Sequence, residues 1–110
     1  MQPALDQAVA IGAGFDKARH LGDLPANICN PAYLAQEATS LAEAQDGVSL
    51  EVLEEDDMAE LGMDSLLGVS RGSANAAKLI VLKYTGADEE SAPVVLIGKG
   101  ITFDLSLIHI

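Results

Sequence analysis

The chain has 110 residues, 49% of them apolar, so it is long enough for one small domain with a core and is not globally disordered. Its net charge of −11, from 17 acids against 6 bases, argues against nucleic acid or an anionic membrane as partners. The single cysteine excludes an internal disulfide, no apolar run approaches the ~20 residues that span a bilayer, and no basic-then-apolar leader opens the chain. A cytoplasmic protein is the expectation.

Residues 3–22 predict a helix. Ala4, Leu5, Ala8, Ile11, Phe15, Ala18 and Leu21 recur at spacings of three and four. Gly12 and Gly14 weaken it and suggest close approach to another element. His20 stands near its C-terminus, where a cation complements the helix dipole, and has no second His or Cys at ligand spacing. Residues 24–31 hold two prolines and two asparagines and predict a loop. There Asn30 suits an N-cap and Pro31 a first helical position. Cys29 has no basic neighbour to activate it, so a small buried apolar role is expected.

Residues 31–45 carry the clearest helical stripe, in Leu34, Ala38, Leu41 and Ala42. Asp46-Gly47 ends it, with Gly47 supplying a left-handed stop. Val48, Leu50 and Val52 alternate with Ser49 and Glu51, the signature of a half-buried strand. Glu54 to Leu61 predicts a short acidic helix with Met58 and Leu61 inward. Seven acids lie from Glu51 to Asp64, but no D-x-[DN]-x-[DN]-G is present, so a solvated acidic face is expected rather than a calcium loop. Leu66-Leu67-Gly68-Val69 predicts a short helix under the sheet, and Leu79 to Tyr84 a strand.

The final stretch, Val94-Val95-Leu96-Ile97-Gly98-Lys99-Gly100-Ile101-Thr102-Phe103-Asp104, is expected to organise the chain. Its apolar run, bounded by Pro93 and Gly98, predicts a buried strand, antiparallel to the strand before it. Lys99 and Asp104 then fall just past the strand's carboxyl end, where ligand sites form in open α/β sheets. Lysines and aspartates in such turns are most often solvated or turn-forming. A phosphate loop is excluded because Gly100 follows Lys99, and a dinucleotide fingerprint at Gly12-Ala13-Gly14 fails because Lys17 replaces the third glycine. The expected fold class is α/β, a mixed and mostly buried sheet flanked by helices.

Five landmarks in order resemble the leucyl (cytosol) aminopeptidase family of hexameric two-metal exopeptidases. They are Ala18 to Pro31, Glu51 to Glu54 followed by Met58 to Met63, Gly72 to Asn75, Leu79 to Tyr84, and Gly98 to Asp104. The last is similar to the family's first metal-binding motif. The resemblance implies that Lys99 ligates one metal through its amine and that Asp104 touches both. The cofactors it implies are two divalent ions, Mn²⁺ or Zn²⁺, which polarise the scissile carbonyl and activate water. A lysine ligates only as the neutral amine, which burial and a nearby cation favour. The implied substrates are peptides, trimmed one residue at a time from a free N-terminus, and the implied parent is a homohexamer.

After Asp104 the pattern breaks. The family continues Ser-Gly-Gly to a catalytic lysine, and this chain reads Leu105-Ser106-Leu107-Ile108-His109-Ile110. The later family ligands and catalytic groups are absent, so no catalytic residue is assigned. The expected organisation is a linker helix over 1–23, the first part of a peptidase catalytic domain over 24–104, and a non-native tail over 105–110. Such a chain is expected to be inactive alone, and its unmatched strands invite aggregation. The competing expectation is a non-catalytic acidic α/β binding module, for which the Gly98–Asp104 septet has no use.

Overall fold

The computed structural model describes residues 2–86 and 91–102. Helix α1 covers Gln2–Asp23 and α2 covers Pro31–Ala44. Strand β1 follows at Val48–Leu53, then α3 at Glu55–Glu60 and α4 at Asp64–Ser70, and β2 closes the series at Leu79–Tyr84. No described helix is long and apolar enough to cross a membrane.

Local chemistry fixes most boundaries. Asn30 is extended and its side chain accepts from the Tyr33 amide at 3.0 Å, with Pro31 opening α2 behind it. Asn30→Ala is expected to cost about 1 kcal/mol through the lost cap, read as a lower denaturant midpoint with unchanged slope. The helix stops at Gln45, which is extended, and Gly47 makes the turn into β1 at φ +77°. The glycine thus serves the helix-to-strand turn, two residues beyond Gln45. A Cβ there would sit 3.4 Å from the Thr85 carbonyl oxygen, and the Gly47 carbonyl accepts from the Thr85 amide at 3.0 Å. In α3 the Glu54 amide donates to Asp57 Oδ2 at 2.8 Å, and three acids in the first turn complement the dipole. Gly62, at φ +72°, ends that helix, and the Met63 amide returns to the Met58 carbonyl.

The sheet is an antiparallel pair in unbroken register, from Val48 opposite Tyr84 to Leu53 opposite Leu79. Val48, Leu50 and Val52 are half-buried and Ser49 and Glu51 exposed, as their alternation requires. Helix α2 packs on this sheet, α3 on β1, and α4 on α3. The side chains of Met58, Cys29 and Ala38 make the buried centre. Cys29 is therefore the small buried side chain expected of it.

The α/β class holds, with four corrections to its details. Residues 94–97 form no strand, and Val94, Leu96 and Ile97 are 90% exposed or more. The apolar run finds no strand to pair with among the described residues, so the described sheet is two-stranded and half-exposed instead of mixed and mostly buried. Leu61 is exposed, because α3 ends at Glu60 and the Gly62 turn carries Leu61 away from Met58. Helix α4 lies against α3, with Val69 exposed, and not beneath the sheet. Among the described residues nothing approaches Gly12 or Gly14, and α1 buries no residue. The expected tail at 105–110 lies outside the described residues.

In the acidic stretch six of the seven acids are exposed, as a solvated face requires, and Glu55 is the exception. Glu55 is half-buried, and its Oε1 accepts from the Ala77 amide at 2.8 Å and from Ser70 Oγ at 3.3 Å. Glu54 pairs with Lys78. Two carboxylates thus fasten α3 to the end of α4 and to the entry of β2.

Candidate functional site

Lys99 stands in the glycine-flanked segment that follows the apolar run, and it is exposed. Asp104, its expected partner, lies outside the described residues. The segment from Ile97 to Thr102 does not pack flat on the rest of the chain. It forms one wall of a groove of about 810 Å³, and the other walls come from the end of α1, the less exposed side of α2, α4 and β2 as far as Leu82.

The groove is lined mainly by aliphatic side chains, among them Leu34, Leu66 and Ile80. Its polar groups are few. Lys17 of α1 and Glu37 of α2 pair at 2.5 Å across one end, and Lys78 and Lys99 also reach the surface of the groove. The Lys17 hydrogen bond holds the Glu37 carboxyl below its ordinary value of 4.5, and His20 adds a weaker push in the same direction. Desolvation raises the Tyr33 phenol, and the Glu37 charge adds to it.

The sign of the Glu37 shift sets a pH dependence. A carboxyl depressed by folding stabilises above its unfolded value, and that contribution is lost as pH falls through the lower folded value. The α1–α2 ion pair is therefore expected to weaken only below about pH 4.5. Glu37→Gln is expected to flatten the acid side of a plot of melting temperature against pH and to change little near neutrality. Both carriers of the pair are partly exposed, so the effect is small and salt-sensitive.

A pair of divalent ions needs several oxygen or nitrogen ligands converging on one point. The described residues hold no group of three or more His, Cys, Asp or Glu placed to receive an ion. Glu37 is engaged by Lys17, and Glu55 by Ser70 and Ala77. The described residues by themselves therefore do not fit a two-metal centre, and no catalytic step is derived through one. Of the two sequence-expected ligands the structure places Lys99 alone.

The groove and the Lys17–Glu37 pair escape a reading of the sequence. Their residues come from separate elements, Lys17 from α1 and Glu37 twenty residues on in α2, and no periodicity within one element relates them.

Comparison with known proteins supplies the context. Residues 16–106 match the cytosol aminopeptidase family, catalytic domain. A "Probable cytosol aminopeptidase" of Thioalkalivibrio sulfidiphilus is 52% identical over 103 residues, covering 94% of this chain and 21% of the relative. One of Stenotrophomonas maltophilia is 54% identical over 101 residues, covering 92% and 20%. The "Cytosol aminopeptidase" of Haemophilus influenzae is 49% identical over 104 residues, covering 94% and 21%. The chain spans about a fifth of the length of these relatives. With the match running unbroken from the end of α1 through the Gly98–Asp104 septet, the chain belongs to the cytosol aminopeptidase family, within its catalytic domain.

Proposed function

We propose that this chain is part of the catalytic domain of a metal-dependent aminopeptidase of the leucyl type, which removes N-terminal amino acids from peptides. In that reading Lys99 and Asp104 supply two of the ligands to a pair of divalent ions, Mn²⁺ or Zn²⁺, and the remaining ligands come from polypeptide beyond these residues. Such a pair, when bound, polarises the scissile carbonyl and lowers the pKa of a water. Gly98 and Gly100 leave the backbone around Lys99 free of side chains, which suits close approach of an ion. Residues 1–23 act as the helix leading into the domain. The parent is a cytoplasmic homohexamer, and the chain by itself has no aminopeptidase activity.

The observation that carries this reading is the family match across residues 16–106, which contains the septet. A chimera tests it. Residues 1–104 replace the matching segment of the Haemophilus influenzae protein, and hydrolysis of a leucyl anilide is followed with Mn²⁺ or Zn²⁺. The chimera is expected to turn over the anilide, and the 110-residue chain alone is expected to give none. A chimera that folds and binds metal yet leaves the anilide intact would overturn the proposal.

A further inference from the structure

The turn between α2 and β1 sets a carboxyl group beside a backbone amide with which it can react. Of the nine aspartates in the chain, Asp46 alone is followed by glycine. Glycine carries no side chain beside its own amide nitrogen, so a neighbouring carboxyl carbon can reach that nitrogen. The left-handed turn that calls for glycine at 47 is therefore also what leaves Asp46 next to an unhindered amide. Asp46 and Gly47 are both exposed. Among the described residues the Asp46 side chain makes no ion pair, and the Gly47 amide donates to no backbone carbonyl.

Other aspartates are held differently. Asp6 and Asp16 lie inside α1, where the following amides belong to the helical ladder. After Asp57 in α3, the Met58 amide donates to the Glu54 carbonyl at 3.0 Å. Asp64 is exposed like Asp46, but it opens α4 in helical geometry and Ser65 follows it.

We propose that Asp46-Gly47 is a site of spontaneous aspartate isomerisation in the folded chain, and that the product unfastens the turn into β1. The Gly47 nitrogen attacks the side-chain carboxyl carbon of Asp46. A C–N bond forms, the amide proton and the carboxyl OH leave together as water, and a cyclic imide results. Water then opens the ring. Cleavage between the nitrogen and the side-chain carbonyl restores aspartate. Cleavage between the nitrogen and the former backbone carbonyl leaves Gly47 joined through the side chain, an isoaspartyl residue of unchanged mass. Nothing is oxidised or reduced, and water is the only other reactant. The new link adds one carbon to the main chain, about 1.5 Å of path, and turns the former backbone carbonyl into a free carboxylate. The change falls between two bonds that set the turn. The Val48 amide donates to the Gln45 carbonyl at 3.4 Å, and the Thr85 amide to the Gly47 carbonyl at 3.0 Å. The second ties the entry of β1 to the chain leaving β2.

Ageing tests it. The full 110-residue chain is kept at neutral pH and body temperature, with circular dichroism following its helices, and samples are cut after glutamate. Electron-transfer fragmentation of the peptide 44–51 and labelling by an isoaspartyl methyltransferase report the product. Isoaspartate is expected at Asp46 at least about tenfold ahead of Asp64, which lacks the glycine and is held in a helix. Its rate is expected within about threefold of that in a synthetic 44–51 peptide, since an exposed turn restrains the pair little. Asp46→Glu, which would need a larger ring, is expected to abolish the signal at this position. Asp46→Asn, which releases ammonia in place of water, is expected to give the same products faster. The isomerised chain, separated by ion exchange, is expected to melt below the parent. A level at Asp46 no higher than at Asp64, a rate below the peptide's by more than that margin, or labelling undiminished by Asp46→Glu would overturn the site. Melting identical to the parent's would overturn the effect on the turn.

Discussion

In the chimera, Lys99→Met and Asp104→Asn are each expected to lower leucyl anilide hydrolysis by at least roughly 100-fold. Groups that only orient a metal ligand already carry 10- to 100-fold effects, so loss of a ligand sets a floor near the top of that range. The loss is expected in kcat, with metal content falling in parallel and partial recovery in excess Mn²⁺. Lys99 is exposed, and its replacement removes no packing within the chain, so the melting temperature of the metal-free chimera is expected to stay where it was. A purely structural lysine would give the opposite pattern, with stability changed and metal content preserved. Near-parental turnover by either variant would show that the septet is not a ligand motif in this protein.

The second large effect falls on stability. Met58 is 0% exposed, the one described side chain fully removed from water, where α3 meets β1 and α4. Met58→Ala is expected to cost ~2–5 kcal/mol in lost transfer energy and cavity formation. A domain of this size is held by ~5–15 kcal/mol in total, so the change takes a large share. The melting temperature is expected to fall by roughly 10 °C or more. Met58→Leu conserves volume and is expected to stay within about 1.5 kcal/mol of the parent. Equal losses in the two variants would show that methionine flexibility, and not filled volume, is what the site uses. A negligible loss in Met58→Ala would mean that α3 is not anchored through this side chain.

The elements that were legible are those whose signals are local. Asn30-Pro31 marks the start of α2, the alternation from Val48 to Val52 gives β1, and Leu79 to Tyr84 gives β2, all with near-observed bounds. Val94 to Ile97 misleads because hydrophobicity reports what a segment needs, while a strand also needs a neighbour to take its amides. Leu61 misleads because helical periodicity carries one residue past Glu60, the last residue of α3, into the turn that Gly62 completes. The Gly98–Asp104 septet lies within the segment that matches the family, and its ligand role rests on resemblance and not on geometry. Lys99 is placed in the structure, and Asp104 lies outside the described residues. The groove was not legible, since four elements with separate periodicities build it.

The β1–β2 register has a consequence for how the chain acquires its structure. The innermost rung joins Leu53 to Leu79, with α3 and α4 strung between them. No tight turn nucleates this ladder, so its first rung must close a long loop before any later rung adds stability. Non-local pairing of this kind is slow relative to helix formation. Helix α3, with Glu54 and Glu55 holding Lys78, Ala77 and Ser70, shortens the effective loop by drawing the entry of β2 toward β1. The acidic turn is thus expected to act as a kinetic clasp, with assembly running from helices to clasp to sheet.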